Sequence, residues 1–377
     1  MNTTDNIYQL AVAGVQSLIP YKGGKPIEEL ERELGLSHIV KLASNENPIG
    51  IGQKALAAIQ KASLDLALYP DGNGYRLKQA LAEKYTLEAS QITLGNGSNE
   101  ILELLARAFL TPEHEVIFSQ HAFAVYPIVT QAVGAKAVVV PAVNYGHDLN
   151  AMLASVTEHT RLIFIANPNN PTGTLLSQAD VQRFIAALPD TVICVLDEAY
   201  FEFVSGVALA DSTAEAINSI DWLKSYPNLI ITRTFSKAYG LAGLRVGYGL
   251  SSPQMADILN RVRQPFNNNA LALAAAEAAL GDVEHLQQTL LVNSQGMQQL
   301  TDGFKVLGLE WIPSAGNFVS VDLKQLGQPI YDALLRKGVI VRPVGNYEMP
   351  NYLRISIGTQ VENQTFLNAL KDILADV

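Results

Sequence analysis

Seven apolar, β-branched runs recur through the first two thirds of the chain, with helical patterns between most of them. They are Gln91 to Leu94, Glu115 to Ser119, Lys136 to Val140, Arg161 to Ala166, Thr191 to Leu196, Leu229 to Thr234 and Val246 to Leu250. Runs of this kind alternating with helices predict an α/β fold, in which a mostly parallel sheet is covered by helices on both faces. Ligands of such sheets gather outside the carboxyl ends of the strands. After about Ser252 the pattern changes. Long helical stretches, Ala270 to Leu280 and Val283 to Leu307, lead to strands Asn317 to Val321 and Tyr352 to Ile357 and a final helix from Glu362. This tail predicts a smaller α+β unit, joined by an amino-terminal arm whose residues 18–26 are punctuated by glycine and proline. The expected division is 1–50 for the arm and part of the small domain, 51–265 for the large domain and 266–377 for the small one. A chain of 377 residues exceeds one ordinary core, in agreement with two units. Local signals support the helices: Gly35 is placed to cap Ile27 to Leu34, and Ser177-Gln-Ala-Asp180 has capping-box spacing.

Charge and composition exclude several functions. With 26 basic against 36 acidic residues the net charge is −10, which argues against nucleic acid or an anionic membrane as partner. An anionic ligand must therefore be held by a few local arginines. The longest stretch without Asp, Glu, Lys or Arg, Val116 to Ala135, is interrupted by Gln120, His121, Pro127 and Gln131. It is a poor match to a membrane span of roughly 20 apolar residues. Met1 to Asn6 lack the basic-then-apolar layout of a signal peptide, so a cytoplasmic location is expected. The six histidines show no metal-binding spacing, and no metal is expected. The single cysteine, Cys194, sits in an apolar run and reads as a small buried hydrophobe.

Polar motifs follow several of the strands. The stretch Thr232-Arg-Thr-Phe-Ser-Lys-Ala-Tyr-Gly-Leu-Ala-Gly-Leu-Arg-Val-Gly-Tyr248 puts Lys237 just past a buried run. Desolvation disfavours an ammonium there, which lowers its pKa and makes it a competent amine for a Schiff base. Thr234 and Ser236 add hydroxyls, and Arg245 adds a planar fork suited to phosphate, a set that fits a phosphorylated aldehyde. Thr93-Leu-Gly-Asn-Gly-Ser-Asn-Glu100 runs from a strand into the helix Ile101 to Leu110, so its amides can face an anion. Asn167-Pro-Asn-Asn-Pro-Thr-Gly173 follows another strand. In Leu196-Asp-Glu-Ala-Tyr200, Asp197 stands where the apolar run stops, buried enough that its carboxylate needs a cationic partner. A helix cap or a structural ion pair is an equal reading of Asp197, and each glycine-rich turn alone is an ordinary loop.

Together and in this order, these pieces resemble the fold-type-I, class-II pyridoxal-phosphate aminotransferases. Tyr352-Leu-Arg-Ile-Ser-Ile-Gly358 extends the likeness to the end of the chain. Pro20-Tyr-Lys-Gly-Gly-Lys25, Ser44-Asn-Glu-Asn-Pro48 and Leu68-Tyr-Pro-Asp71 are similar to the histidinol-phosphate branch. The resemblance implies that Lys237 carries pyridoxal 5'-phosphate and that Asp197 pairs with the protonated ring nitrogen. It also implies that Asn170 and Tyr200 bond the ring's phenolic oxygen and that Phe123 stacks on the ring. Gly97, Ser98 and Asn99, with Thr234, Ser236 and Arg245, then hold the phosphate. Tyr69 reaches that phosphate from a second copy of the chain, implying a homodimer. Many family members have aspartate at the place of Asn99, and this departure bears on cofactor affinity.

The implied reaction is transamination of L-histidinol phosphate with 2-oxoglutarate, giving imidazole-acetol phosphate and glutamate in histidine biosynthesis. One pocket must then take both a phosphate monoester and a dicarboxylate, which arginine forks suit. The resemblance places Arg354 and Arg342 there, with Tyr21 of the arm closing over the phosphate. An ordinary surface salt bridge is the other reading of the two arginines. The nearest alternatives keep fold and cofactor: an aromatic-amino-acid aminotransferase, since an apolar pocket discriminates weakly, or a threonine-phosphate decarboxylase. A non-catalytic, ligand-sensing module would need a DNA-binding element, for which the chain has no basic domain to spare.

Overall fold

Successive residues of a strand point to opposite faces, and in this protein each face of the central sheet has its own apolar core. The computed structural model describes residues 3–21, 23–204 and 218–375. A two-residue strand in the arm, β1 (Val40–Lys41), precedes the sheet, which comprises β2 (Ile92–Gly95), β3 (Glu115–Ser119), β4 (Lys136–Val140), β5 (Thr160–Ala166), β6 (Ile193–Asp197), β7 (Leu229–Thr234) and β8 (Gly247–Leu250). Their spatial order is β2-β8-β7-β6-β5-β3-β4. Only β8 runs against its neighbours, so the expected mostly parallel seven-stranded sheet is observed.

One core takes Ile117, Ile163, Cys194 and Ile231 from the strands and the helices Tyr75–Tyr85 and Gln178–Ala187 from outside. The other takes Val116, Phe164, Val195 and Ile230, covered by Ser98–Phe109 and Pro253–Val262. Cys194 is a free, buried thiol within the first core. The expected caps form: Gly35 is left-handed at φ 66°, and the Ser177 hydroxyl accepts from the Asp180 N–H at 3.1 Å.

The tail forms a second sheet of β9 (Glu310–Ile312), β10 (Phe318–Asp322), β12 (Arg342–Pro343) and β13 (Tyr352–Ser356), with β11 (Val339–Ile340) between them in sequence. The four strands are antiparallel, in the order β12-β13-β10-β9. Leu300 and Phe304 of the helix Val283–Val306 and Phe366 and Leu370 of Gln360–Ala375 pack on them. The arm joins this unit because β1 pairs in parallel with β11.

One placement differs from the sequence pattern. Ala270–Leu280, expected with the tail, packs in the first core of the large sheet through Ala272, Ala275, Ala276 and Ala279. A helix with alanine on its inner face lies close against its neighbours, and its pattern alone does not say which neighbours those are. Among the described residues no helix is long and apolar enough to cross a membrane. No cluster of three or more His, Cys, Asp or Glu side chains there could hold a metal ion.

Candidate active site

The carboxyl ends of β2, β5, β6 and β7 meet the arm and the tail around a cleft of about 270 Å³. Its first wall begins where β2 stops. Gly97 caps the helix Ser98–Phe109 at φ 75°, and a Cβ there would lie 2.5 Å from Arg245 Nη2. Across from it, a Cβ on Gly247 would lie 2.4 Å from the Ser98 nitrogen. Gly97 supplies the positive-φ turn that brings the helix start beside the guanidinium, and Gly247 permits a close backbone approach that a side chain would block. Arg245 Nη1 donates to Ser236 Oγ at 3.3 Å, and the Ser236 N–H donates to Thr234 Oγ1 at 3.1 Å. Ser98, Asn99, Thr234, Ser236 and Arg245 all line the cleft. The unpaired amides of a helix start, two hydroxyls and a guanidinium in one corner form an anion cradle.

Lys237 follows β7 by three residues and lines the same cleft, its Nζ donating to the Ser44 carbonyl at 3.1 Å. Burial, reinforced by the positive charge of Arg354, pulls the lysine down to about 7. A neutral amine is therefore present at physiological pH.

Asp197 ends β6 facing the cleft and is buried. Its carboxylate accepts from Tyr126 Oη at 2.8 Å and from Thr232 Oγ1 at 2.9 Å. Burial raises its pKa, and these hydroxyls oppose the rise. The sequence reading expects a cationic partner for this carboxylate, but the side chains bonded to it are uncharged. Among the described residues no positive charge is bonded to it.

Tyr200 Oη accepts from Asn45 Nδ2 at 2.9 Å and from Asn170 Nδ2 at 3.0 Å. Burial pushes this phenol up to about 12, so it stays protonated. Asn170 Oδ1 in turn accepts from Arg354 Nη1 at 2.6 Å, and Arg354 Nη2 donates to the Ala43 carbonyl at 2.7 Å. Arg354 is buried, and its Nε has no partner among the described residues. These bonds go to an amide and a carbonyl, so the surface salt bridge considered for this residue is not what forms. Arg342 stands directly opposite Arg354 across β12 and β13, and its guanidinium lies 5.7 Å from the Tyr21 ring. Like charges facing each other across strands are unfavourable unless an anion joins them.

Of the other residues singled out in the sequence, Phe123 and Tyr21 line the cleft. Tyr69 does not line the cleft of its own chain: it is 83% exposed and stacked on Phe266. Lys22 of the arm motif lies outside the described residues. Sequence reasoning missed Tyr126, Thr232, Asn45 and Ser44 as site residues. Thr232 carried a signal, since it lies two residues before Thr234 and therefore on the same face of β7. Asn45 lies inside a quoted motif, where nothing local tells of its contact with Tyr200.

The model of the family described as "Aminotransferase class I and II" matches residues 37–370. The chain belongs to that family. A histidinol-phosphate aminotransferase of Pseudomonas fluorescens is 59% identical over 372 residues, covering 98% of this chain and 99% of its own. One from Idiomarina loihiensis is 55% identical over 368 residues, 98% of each chain. Among solved structures, the histidinol-phosphate aminotransferase of Sinorhizobium meliloti in complex with pyridoxal-5'-phosphate superposes with a TM-score of 0.89 at 33% identity, covering 97% of both chains. The aminotransferase fold therefore spans both units of the molecule, and the cleft lies where they meet.

Proposed function

We propose that this aminotransferase uses pyridoxal 5'-phosphate to transaminate L-histidinol phosphate with 2-oxoglutarate, yielding imidazole-acetol phosphate and glutamate for histidine biosynthesis. The observation that carries the reading is Lys237, an amine lowered to about 7 in a cleft that combines an anion cradle with an uncompensated carboxylate. The residues fit the cofactor. Gly97 and Gly247 let the helix start at Ser98 and Arg245 come together at the cradle, and among the described residues no cation is bonded to Asp197, a place that a protonated ring nitrogen would fit. Bound there, the cofactor supplies an aldehyde and a ring that withdraws electrons from the reacting carbon.

The chain's own residues do the rest. Asn170 and Tyr200 offer hydrogen bonds to the ring's phenolic oxygen, Phe123 offers a face for the ring, and Ser98, Asn99, Thr234, Ser236 and Arg245 hold the phosphate. Lys237 Nζ takes the proton from the substrate carbon that bears the amine and returns it on the other side of the exchange. Arg354 and Arg342, opposed across two strands, receive the substrate's phosphate in one half-reaction and a carboxylate of 2-oxoglutarate in the other. Tyr21, on the arm, covers that end. We place Tyr69 in the partner's cleft of a homodimer, in keeping with its exposure here. We also place the enzyme in the cytoplasm.

A substrate panel tests the proposal. Histidinol phosphate, phenylalanine and threonine phosphate are each offered with 2-oxoglutarate, and glutamate and carbon dioxide are measured. Histidinol phosphate should give the highest kcat/KM, with glutamate formed and no carbon dioxide. A preference for phenylalanine, or carbon dioxide from threonine phosphate, would reassign the substrate.

A further inference from the structure

The Tyr126 ring lies flat on Phe164, with centroids 4.5 Å apart and an interplanar angle of 6°, and it meets Phe123 edge-on at 5.8 Å. A phenylalanine would fill that space equally well. What the tyrosine adds is its hydroxyl, which is fully buried and donates to Asp197 Oδ2 at 2.8 Å. From the other side Thr232, also fully buried, donates to Oδ1 at 2.9 Å. Thr232 is held in register beside Asp197 by the pairing of β6 with β7, whereas Tyr126 comes from the helix Val125–Ala132. Donors from two separate elements thus take one oxygen each and fix the plane of the carboxylate.

We propose that Tyr126 and Thr232 are positioning residues for transamination: a two-hydroxyl clamp that keeps Asp197 ionised and aimed at the ring nitrogen of the bound cofactor. This inference rests on the reading of the cleft as a pyridoxal-phosphate site. Burial favours the neutral acid, and hydrogen bonds to the charged form counter it. The Ala199 N–H adds to the clamp, while the neighbouring charge of Glu198 acts against it. Tyr200, whose charge would also act on Asp197, stays neutral. Without the clamp Asp197 takes up a proton more readily, and the ring nitrogen holds its own less firmly. Less positive charge then faces the cofactor's link to Lys237, so the pKa of that link rises.

The test uses holoenzyme without substrates. Its visible absorbance is followed against pH, and cofactor dissociation is measured by dialysis. Tyr126→Phe keeps the ring stack and removes only the donor. It should move the absorbance midpoint up by about half a unit or more and weaken cofactor binding roughly tenfold or more. Thr232→Val should shift both in the same direction, and Thr232→Ser, which keeps a donor, should restore both. Wild-type midpoint and affinity in both Tyr126→Phe and Thr232→Val would overturn the clamp alone. A wild-type protein that takes up no cofactor would overturn the site reading and the clamp with it.

Discussion

Asp197 and Glu198 are adjacent in the chain, both buried, and opposite in their surroundings. Glu198 points away from the cleft and receives two hydrogen bonds from Arg233, at 2.8 and 2.7 Å, to a single oxygen. The Arg233 guanidinium lies 3.4 Å from the centre of the Phe201 ring and 5.1 Å from that of Tyr85, so this charge pair is enclosed by aromatic faces. Asp197, on the other face of the same strand end, is bonded to hydroxyls. The arginines divide in the same way: Arg233 has its carboxylate, and Arg354 is buried against an amide and a carbonyl. On the Arg233 side the buried guanidinium meets a carboxylate directly, with Glu202 buried nearby. On the cleft side a carboxylate and an arginine are buried with no opposite charge bonded to them among the described residues, which is costly unless a ligand compensates them.

This contrast is open to experiment. The largest effect is expected from Lys237→Ala, which should lose transamination by several orders of magnitude and lose borohydride trapping of the cofactor. Normal turnover would break the assignment of the open face. Next comes the adjacent pair. Glu198→Ala leaves Arg233 buried without its partner and should cost about 3–5 kcal/mol in denaturant unfolding of the apoprotein. Asp197→Asn should change that stability by only about 1 kcal/mol while greatly reducing activity. Equal stability losses in the two variants would erase the distinction.

Arg354→Ala should raise KM for both amine and oxo acid by roughly ten- to hundredfold. An effect on one substrate only would sharpen the picture by separating two anion sites. The smallest effect concerns pH. Lys237, lowered to about 7, is mostly protonated below that pH and mostly neutral above it. The rate at which apoprotein captures the cofactor aldehyde should therefore rise roughly tenfold from pH 6 to pH 8 and then level off. A lysine of ordinary pKa would keep rising beyond pH 9, which stopped-flow absorbance would detect.

Much of the fold was legible in the residues. Glu115 to Ser119, Lys136 to Val140 and Leu229 to Thr234 coincide with β3, β4 and β7 because apolar, β-branched runs of five or six residues have few other places to go. The strands β11 and β12 are two residues each, too short to be marked by pattern even where, as at Val339-Ile340, the residues are β-branched, and they are defined by their partners. The placement of Ala270–Leu280 was hidden for a related reason, since an alanine-rich helix suits either core.

The site divides along the same line. By itself the sequence determined which chemical groups stand at the ends of which strands: the lysine after β7, the aspartate ending β6, the glycines that open the helix at Ser98. Tertiary structure alone decided which of those groups are satisfied. Tyr126 and Asp197 are 71 residues apart, Asn45 and Tyr200 are 155 apart, and Arg354 and Asn170 are 184 apart. A hydrogen bond acts over roughly 3 Å, whereas local sequence pattern reports only on neighbours along the chain. The charges left waiting for a ligand therefore emerge only once the folded chain has brought their partners, or failed to bring them.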